Sequence, residues 1–134
     1  MAILKNEVLD IRSGDDVVRV RQMVRNWATE CGFSLIDQTK IVTAASELAR
    51  NALQYGGGGT MSLDRMEDGG RKGLRLTFSD QGPGIADIAL AMKEGYTTGS
   101  GLGLGLSGAK RLCNDFAIRS APGEGTTVTI ARWK

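Results

Sequence analysis

Two helix starts follow one another along this chain, Ser13-Gly-Asp-Asp16 and Ser34-Leu-Ile-Asp37, with Gly32 closing the first helix just before Ser34 opens the second. Each pairs a capping hydroxyl with an acid three residues on, the pattern that satisfies free N–H groups at a helix N-terminus. Val17, Val20, Val24, Trp27, Ala28 and Cys31 recur at helical spacing after the first start. Ile41, Ala45, Leu48, Ala52 and Tyr55 do so after the second, and the glycine run 56–59 stops it. Two consecutive helices, each with an apolar stripe, need a layer to pack on, and the alternating segments supply it. Residues 3–11 read as an edge strand; 60–66 and 73–79 as a hairpin joined by MEDGGRKG; 115–120 and 126–133 as a second hairpin turning at Pro122-Gly-Glu-Gly125. A short helix over 86–94 and another ending near Cys113 complete the order. The strands come mostly as antiparallel neighbours and the helices all fit on one face. The expected fold is a two-layer α/β (α+β) sandwich with a mixed, mostly antiparallel sheet, not a doubly wound one.

The chain of 134 residues suits a single domain, 1–134, and buries roughly two-thirds of its unfolded surface. Its net charge of +2 and 5% aromatic content exclude a dedicated nucleic-acid surface. Arg19, Arg21 and Arg25 lie off the apolar stripe, as a solvated basic face or a contact for phosphate or a partner. With two cysteines and no histidine, there is no zinc site, no histidine-based triad and no phosphohistidine relay. Cys31 and Cys113 fall in apolar helical patterns and read as buried free thiols. No signal-peptide core is present and no apolar run approaches ~18 residues, so the expectation is a soluble cytoplasmic protein, not a membrane one.

Three motifs carry chemistry. In Ser46-Glu-Leu-Ala-Arg-Asn51, Glu47 and Asn51 stand one turn apart on one helix face beside the buried stripe. A carboxylate there takes a proton, and an amide oxygen one turn on holds a hard cation such as Mg²⁺; an isolated pair of this kind is also what a solvated helix face presents. In Asp80-Gln-Gly-Pro-Gly84, at the end of a strand, the aspartate accepts a hydrogen bond from an exocyclic amine, and Gly82 and Gly84 let backbone approach a flat ring. Alone, the same residues make a common turn. The third is GSGLGLGLS over 99–107. It alternates like a strand, yet glycine weakens strand interiors and leaves one face bare. Gly103-Leu-Gly-Leu-Ser-Gly108 fits a dinucleotide pattern, but no strand leads into it, and no Walker loop occurs. A glycine hinge entering a helix whose free N–H groups bind phosphate accounts for the composition, with Leu102, Leu104 and Leu106 anchoring it when closed.

The order E-x-x-x-N, D-x-G-x-G, G-x-G-x-G and Gly123-x-Gly-Thr126 resembles the GHKL (Bergerat) ATP-binding family of histidine kinases, gyrase-type ATPases, Hsp90 and anti-sigma serine kinases. The chain has no room for the further domains of gyrase or Hsp90, and no phosphoacceptor histidine. SELARN, DQGPGIADI, GLGLGLSGAKRL and APGEGT are most similar to the stand-alone switch kinases of the stressosome; Tyr55-Gly56 stands where anti-sigma factors usually carry His-Gly or His-Ala. The resemblance implies ATP and Mg²⁺ as cofactors, Glu47 as general base and Asn51 as Mg²⁺ ligand. It implies Asp80 as the residue holding the adenine amine, with Thr126 supporting it. Gly82, Gly84, Thr98, Gly99, Gly101, Leu102, Gly103, Leu104 and Gly105 would form the nucleotide pocket and its lid. Implied partners are STAS-domain scaffold and antagonist proteins (RsbS- and RsbR-like) as substrates and a downstream output such as a PP2C-type phosphatase. The alternative is a nucleotide-dependent anti-sigma factor that mainly sequesters its regulator.

Overall fold

A computed structural model of the chain describes residues 1–93 and 105–134. Strand β1 (Ala2–Ile11) leads into helices α1 (Gly14–Cys31) and α2 (Leu35–Gln54), then strands β2 (Gly59–Asp68) and β3 (Arg71–Asp80). Helices α3 (Ile88–Ala91) and α4 (Gly105–Arg111) precede β4 (Asp115–Ser120) and β5 (Thr126–Trp133). The sheet order is β1-β2-β3-β5-β4, and each neighbouring pair is antiparallel. The two-layer α+β expectation holds, while the sheet, expected to be mixed, is antiparallel at every pair of described strands, since hairpins and antiparallel returns join all its neighbours.

The helix ends differ in how they close. Ser34 caps α2 as its sequence predicts, accepting the Asp37 N–H at 3.1 Å. Ser13 makes no such bond; Asp16 Oδ2 instead accepts the Arg12 N–H at 2.9 Å and the Ser13 hydroxyl at 3.4 Å, bracing the chain just ahead of α1. Gly32 ends α1 in the left-handed region at φ 87°, which only glycine enters cheaply.

The expected eight-residue hairpin loop contracts to Gly69-Gly70. Both take positive φ (57° and 84°), the twist that matches a two-residue antiparallel turn, so the strands run on to Asp68 and Arg71. The short helix expected over 86–94 occupies only Ile88–Ala91. Tyr55, expected in the buried stripe, is the C-cap of α2 and is 42% exposed.

Strand register sets the core in rows. Leu9, Met61, Phe78, Val128 and Ile118 are neighbours across the five strands, and Leu63, Leu76, Ile130 and Phe116 form the row beside them. These rows meet Val20, Val24, Trp27, Ile41, Ala45 and Leu48 of the two long helices in one apolar cluster. Full burial of one such side chain stabilises the fold by roughly 1.5–3 kcal/mol. Arg132 fastens the corner: it donates to Asp37 Oδ1 at 2.6 Å and to the Leu112 carbonyl at 2.9 Å, tying β5 to the start of α2 and the end of α4. Cys31 is buried and Cys113 half-buried; desolvation raises both thiols, Cys113 to about 11, which disfavours the thiolate.

Candidate active site

Glu47 is the one acid on α2 that the fold buries, at 7% exposure. A buried carboxylate requires partners. Its Oε1 accepts the Gly105 N–H at 3.2 Å, and Oε2 lies 3.8 Å from Arg50 Nη2, which also donates to Ser46 Oγ at 3.4 Å. The first motif is thereby joined to the end of the glycine segment across 58 positions of chain. Gly105 begins α4 at φ 68°, a backbone shape that favours glycine. Asn51 stands one turn beyond Glu47, half-buried, and its amide makes no hydrogen bond among the described residues.

Asp80 ends β3 in a row of its own, with Gly59 on one side and Thr126 and then Ser120 on the other. Its Oδ1 accepts the Gly82 N–H at 2.9 Å, a turn that fixes the carboxylate and leaves Oδ2 for another donor. The carboxylate packs where Gly56, just past α2, has no side chain: a Cβ there would sit 2.6 Å from Oδ2. Gly82 is crowded in turn, since a Cβ on it would lie 2.6 Å from Gly56 Cα. Gly84, at φ 78°, abuts the Ala121 carbonyl. Both glycines therefore have a packing reason, holding the turn after β3 against α2 and against the β4–β5 turn.

The structure brings Glu47, Asn51 and Gly105 together on one side, and Asp80, Gly82, Gly84 and Thr126 on the other. Both groups hang on the C-terminal half of α2. Thr98, Gly99, Gly101, Leu102, Gly103 and Leu104, expected in the lid, lie outside the described residues. Among the described residues no cluster of three or more metal-ligating His, Cys, Asp or Glu occurs, so a cation here would rest on Asn51 and a substrate's own oxygens. That fits Mg²⁺ bound with ATP, which takes few protein ligands. A shallow recess of about 200 Å³ on the opposite face of the sheet, beside Met66, Arg75, Ala117 and Trp133, is reached by none of the motif residues.

Motif spacing did not reveal Ser120. Its Oγ accepts the Ile85 N–H at 2.8 Å and lies 2.8 Å from both the Gly125 carbonyl and Thr126 Oγ1. Thr126 thus bonds Ser120. Gly125, at φ 72°, packs on the Asp80 carbonyl, a contact its place in the fourth motif hinted at without giving the partner.

A buried carboxylate on α2 and an aspartate at the end of β3 lie on a two-layer fold whose sequence carries a glycine segment further along the chain. Residues 36–134 match the family of histidine kinase-, DNA gyrase B- and HSP90-like ATPases, and the chain belongs to it. It is 48% identical over 118 residues to the serine/threonine-protein kinase RsbT of Bacillus subtilis, spanning 88% of this chain and 89% of that one, and it is a serine/threonine protein kinase of this family. The sensor-like histidine kinase SenX3 of Mycobacterium tuberculosis is 34% identical over 71% of this chain but only 26% of its own. In fold the chain is similar to the RsbU and RsbW domains of a Mycobacterium tuberculosis protein (TM-score 0.66, 22% identity, 96% of this chain and 31% of that one). It is also similar to the SiaB-SiaC complex of Pseudomonas aeruginosa (TM-score 0.57, 16% identity, 98% of this chain and 91% of that one). Among the described residues no helix is long and apolar enough to cross a membrane.

Proposed function

We propose that the chain is a cytoplasmic switch kinase that phosphorylates a serine or threonine of a STAS-domain scaffold or antagonist protein, then engages an output protein such as a PP2C-type phosphatase. The observation that carries this reading is the buried Glu47 carboxylate, held by Gly105 N–H where the glycine segment meets α4. The acceptor hydroxyl oxygen attacks the γ-phosphorus of ATP, the bond to the β–γ bridging oxygen breaks, and ADP leaves. Glu47 takes the hydroxyl proton. Asp80 Oδ2 receives the adenine amine, with Thr126 beside it. Mg²⁺, bound through the Asn51 oxygen, would neutralise charge on the phosphates.

The test is Glu47→Gln. The amide oxygen keeps an acceptor for the Gly105 N–H, so the site's shape persists while the base is lost. Phosphate transfer to a STAS-domain protein should fall by ~10²–10⁴ with ATP affinity little changed. Transfer near the wild-type rate overturns the assignment of Glu47.

A further inference from the structure

The three contacts of the Ser120 hydroxyl leave only one arrangement of its proton. The Gly125 carbonyl, 2.8 Å away, has lone pairs and nothing to donate, so it takes the Ser120 proton. The Ile85 amide, also at 2.8 Å, has only a proton to give, so Ser120 Oγ accepts there. The third neighbour, Thr126 Oγ1 at 2.8 Å, gets no proton from Ser120 and must donate its own. A threonine hydroxyl has a single proton, so Thr126 has none left for a ligand.

Thr126 lies opposite Asp80 in the register of β3 and β5, and opposite residues of an antiparallel pair share a face. Asp80 Oδ1 already accepts from Gly82, and Oδ2 is an acceptor as well. Everything this row offers a ligand is therefore a lone pair.

We infer that Ser120 is a specificity-determining residue of the nucleotide site: by taking the only proton of Thr126 it locks the row as acceptors, which selects a 6-amino purine over a 6-keto purine. This rests on the reading of Asp80 and Thr126 as the base-binding residues. Ser120 acts through Thr126 and the two loops it joins, so it is a positioning residue. Without it, the Thr126 hydroxyl is free to rotate and donate to a ring carbonyl.

The experiment compares ATP with ITP, which carries a carbonyl in place of the amine, by calorimetric titration of the wild type, Ser120→Ala, Thr126→Val and the double variant. The wild type should prefer ATP. In Ser120→Ala the ratio of ITP to ATP dissociation constants should fall about tenfold, the worth of one hydrogen bond of wrong polarity. In the Thr126→Val background, with no hydroxyl to turn, Ser120→Ala should leave the ratio unchanged. If Ser120→Ala weakens both nucleotides equally, Ser120 is a structural brace and the inference fails. If the wild type does not discriminate at all, the base-binding reading of Asp80 falls and takes this inference with it. Should Ser120→Ala not fold, Ser120→Cys, isosteric with a weak S–H donor, replaces it and should lower the ratio in the same direction.

Discussion

Gly123 and Gly125 stand two residues apart in one turn, both at positive φ (78° and 72°), and differ in what surrounds them. A Cβ on Gly123 meets nothing within 4 Å. A Cβ on Gly125 runs into the carbonyl oxygen of Asp80, with the Asp80 carbonyl carbon and Gln81 Cα both at 3.1 Å. Alanine at either position incurs the left-handed backbone cost of about 1–2 kcal/mol, partly offset by about 0.4–1 kcal/mol from a stiffer unfolded chain. Gly123→Ala should therefore destabilise by about 1 kcal/mol or less. Gly125→Ala adds an overlap with backbone, which cannot swing aside as a side chain does, and overpacking of this kind adds about 1–3 kcal/mol. Its total is about 2–4 kcal/mol. Urea unfolding of the two variants without nucleotide measures the difference directly. The carbonyl displaced belongs to Asp80, so Gly125→Ala should also weaken ATP binding while Gly123→Ala leaves it alone. Equal loss of stability in the two variants would refute the steric argument, because it would mean that the shared backbone conformation accounts for everything.

Asp80→Asn should weaken ATP at least tenfold by titration: the Gly82 N–H claims the amide oxygen, so an NH₂ replaces Oδ2 and faces the adenine amine, losing a charged hydrogen bond of roughly 1.5–3 kcal/mol; unchanged affinity contradicts the pocket. Arg132→Met should cost about 2–3 kcal/mol near neutral pH, through loss of the bonds to Asp37 and the Leu112 carbonyl. The Arg132 hydrogen bond holds the Asp37 carboxyl below its ordinary 3.8, so its stabilisation is fully present above that value and lost as pH falls through the lower, folded-state one. The gap between wild type and Arg132→Met in urea unfolding should narrow below about pH 4, and a gap constant with pH argues against the ion pair.

The sequence read well wherever a period was long enough to define a face. The stripes Val20–Val24–Trp27 and Ile41–Ala45–Leu48 are buried as the 3.6-residue spacing requires, and each expected strand is present. Reading failed where an element ends, since periodicity names a face but not where the face stops. Tyr55 continues its stripe in sequence, yet it caps the end of α2 and is 42% exposed. Ser13 has the composition of a cap, but its hydroxyl turns to Asp16 Oδ2, 3.4 Å away, and caps no helix N–H. For Glu47 and Asp80 the residue type was legible, while their holders, Gly105 and Gly82 at one level and Gly56 beside them, required the fold.

Ser120 and Gly125 were harder still, and the strand register explains how they arise. The last apolar row, Met61, Phe78, Val128 and Ile118, is followed one inward step further along the sheet by Gly59, Asp80, Thr126 and Ser120, two residues later in β3 and β4 and two earlier in the oppositely running β2 and β5. Successive inward positions in a strand are two apart, so this second row faces the same way as the core but lies past it. Helix α2 ends near that level, with Gly56 against Asp80. Inward-facing polar groups must bond one another, other protein groups or a ligand. Ser120 and Thr126 do the first, and Asp80 Oδ2 is left for the last. Three of the five strands, β3, β4 and β5, place a polar residue one inward step past their last apolar one, while β1 has Ile11 and β2 has Gly59 in that row; the sequence signal is the cluster Asp80, Thr126 and Ser120 on adjacent strands, not any one of them.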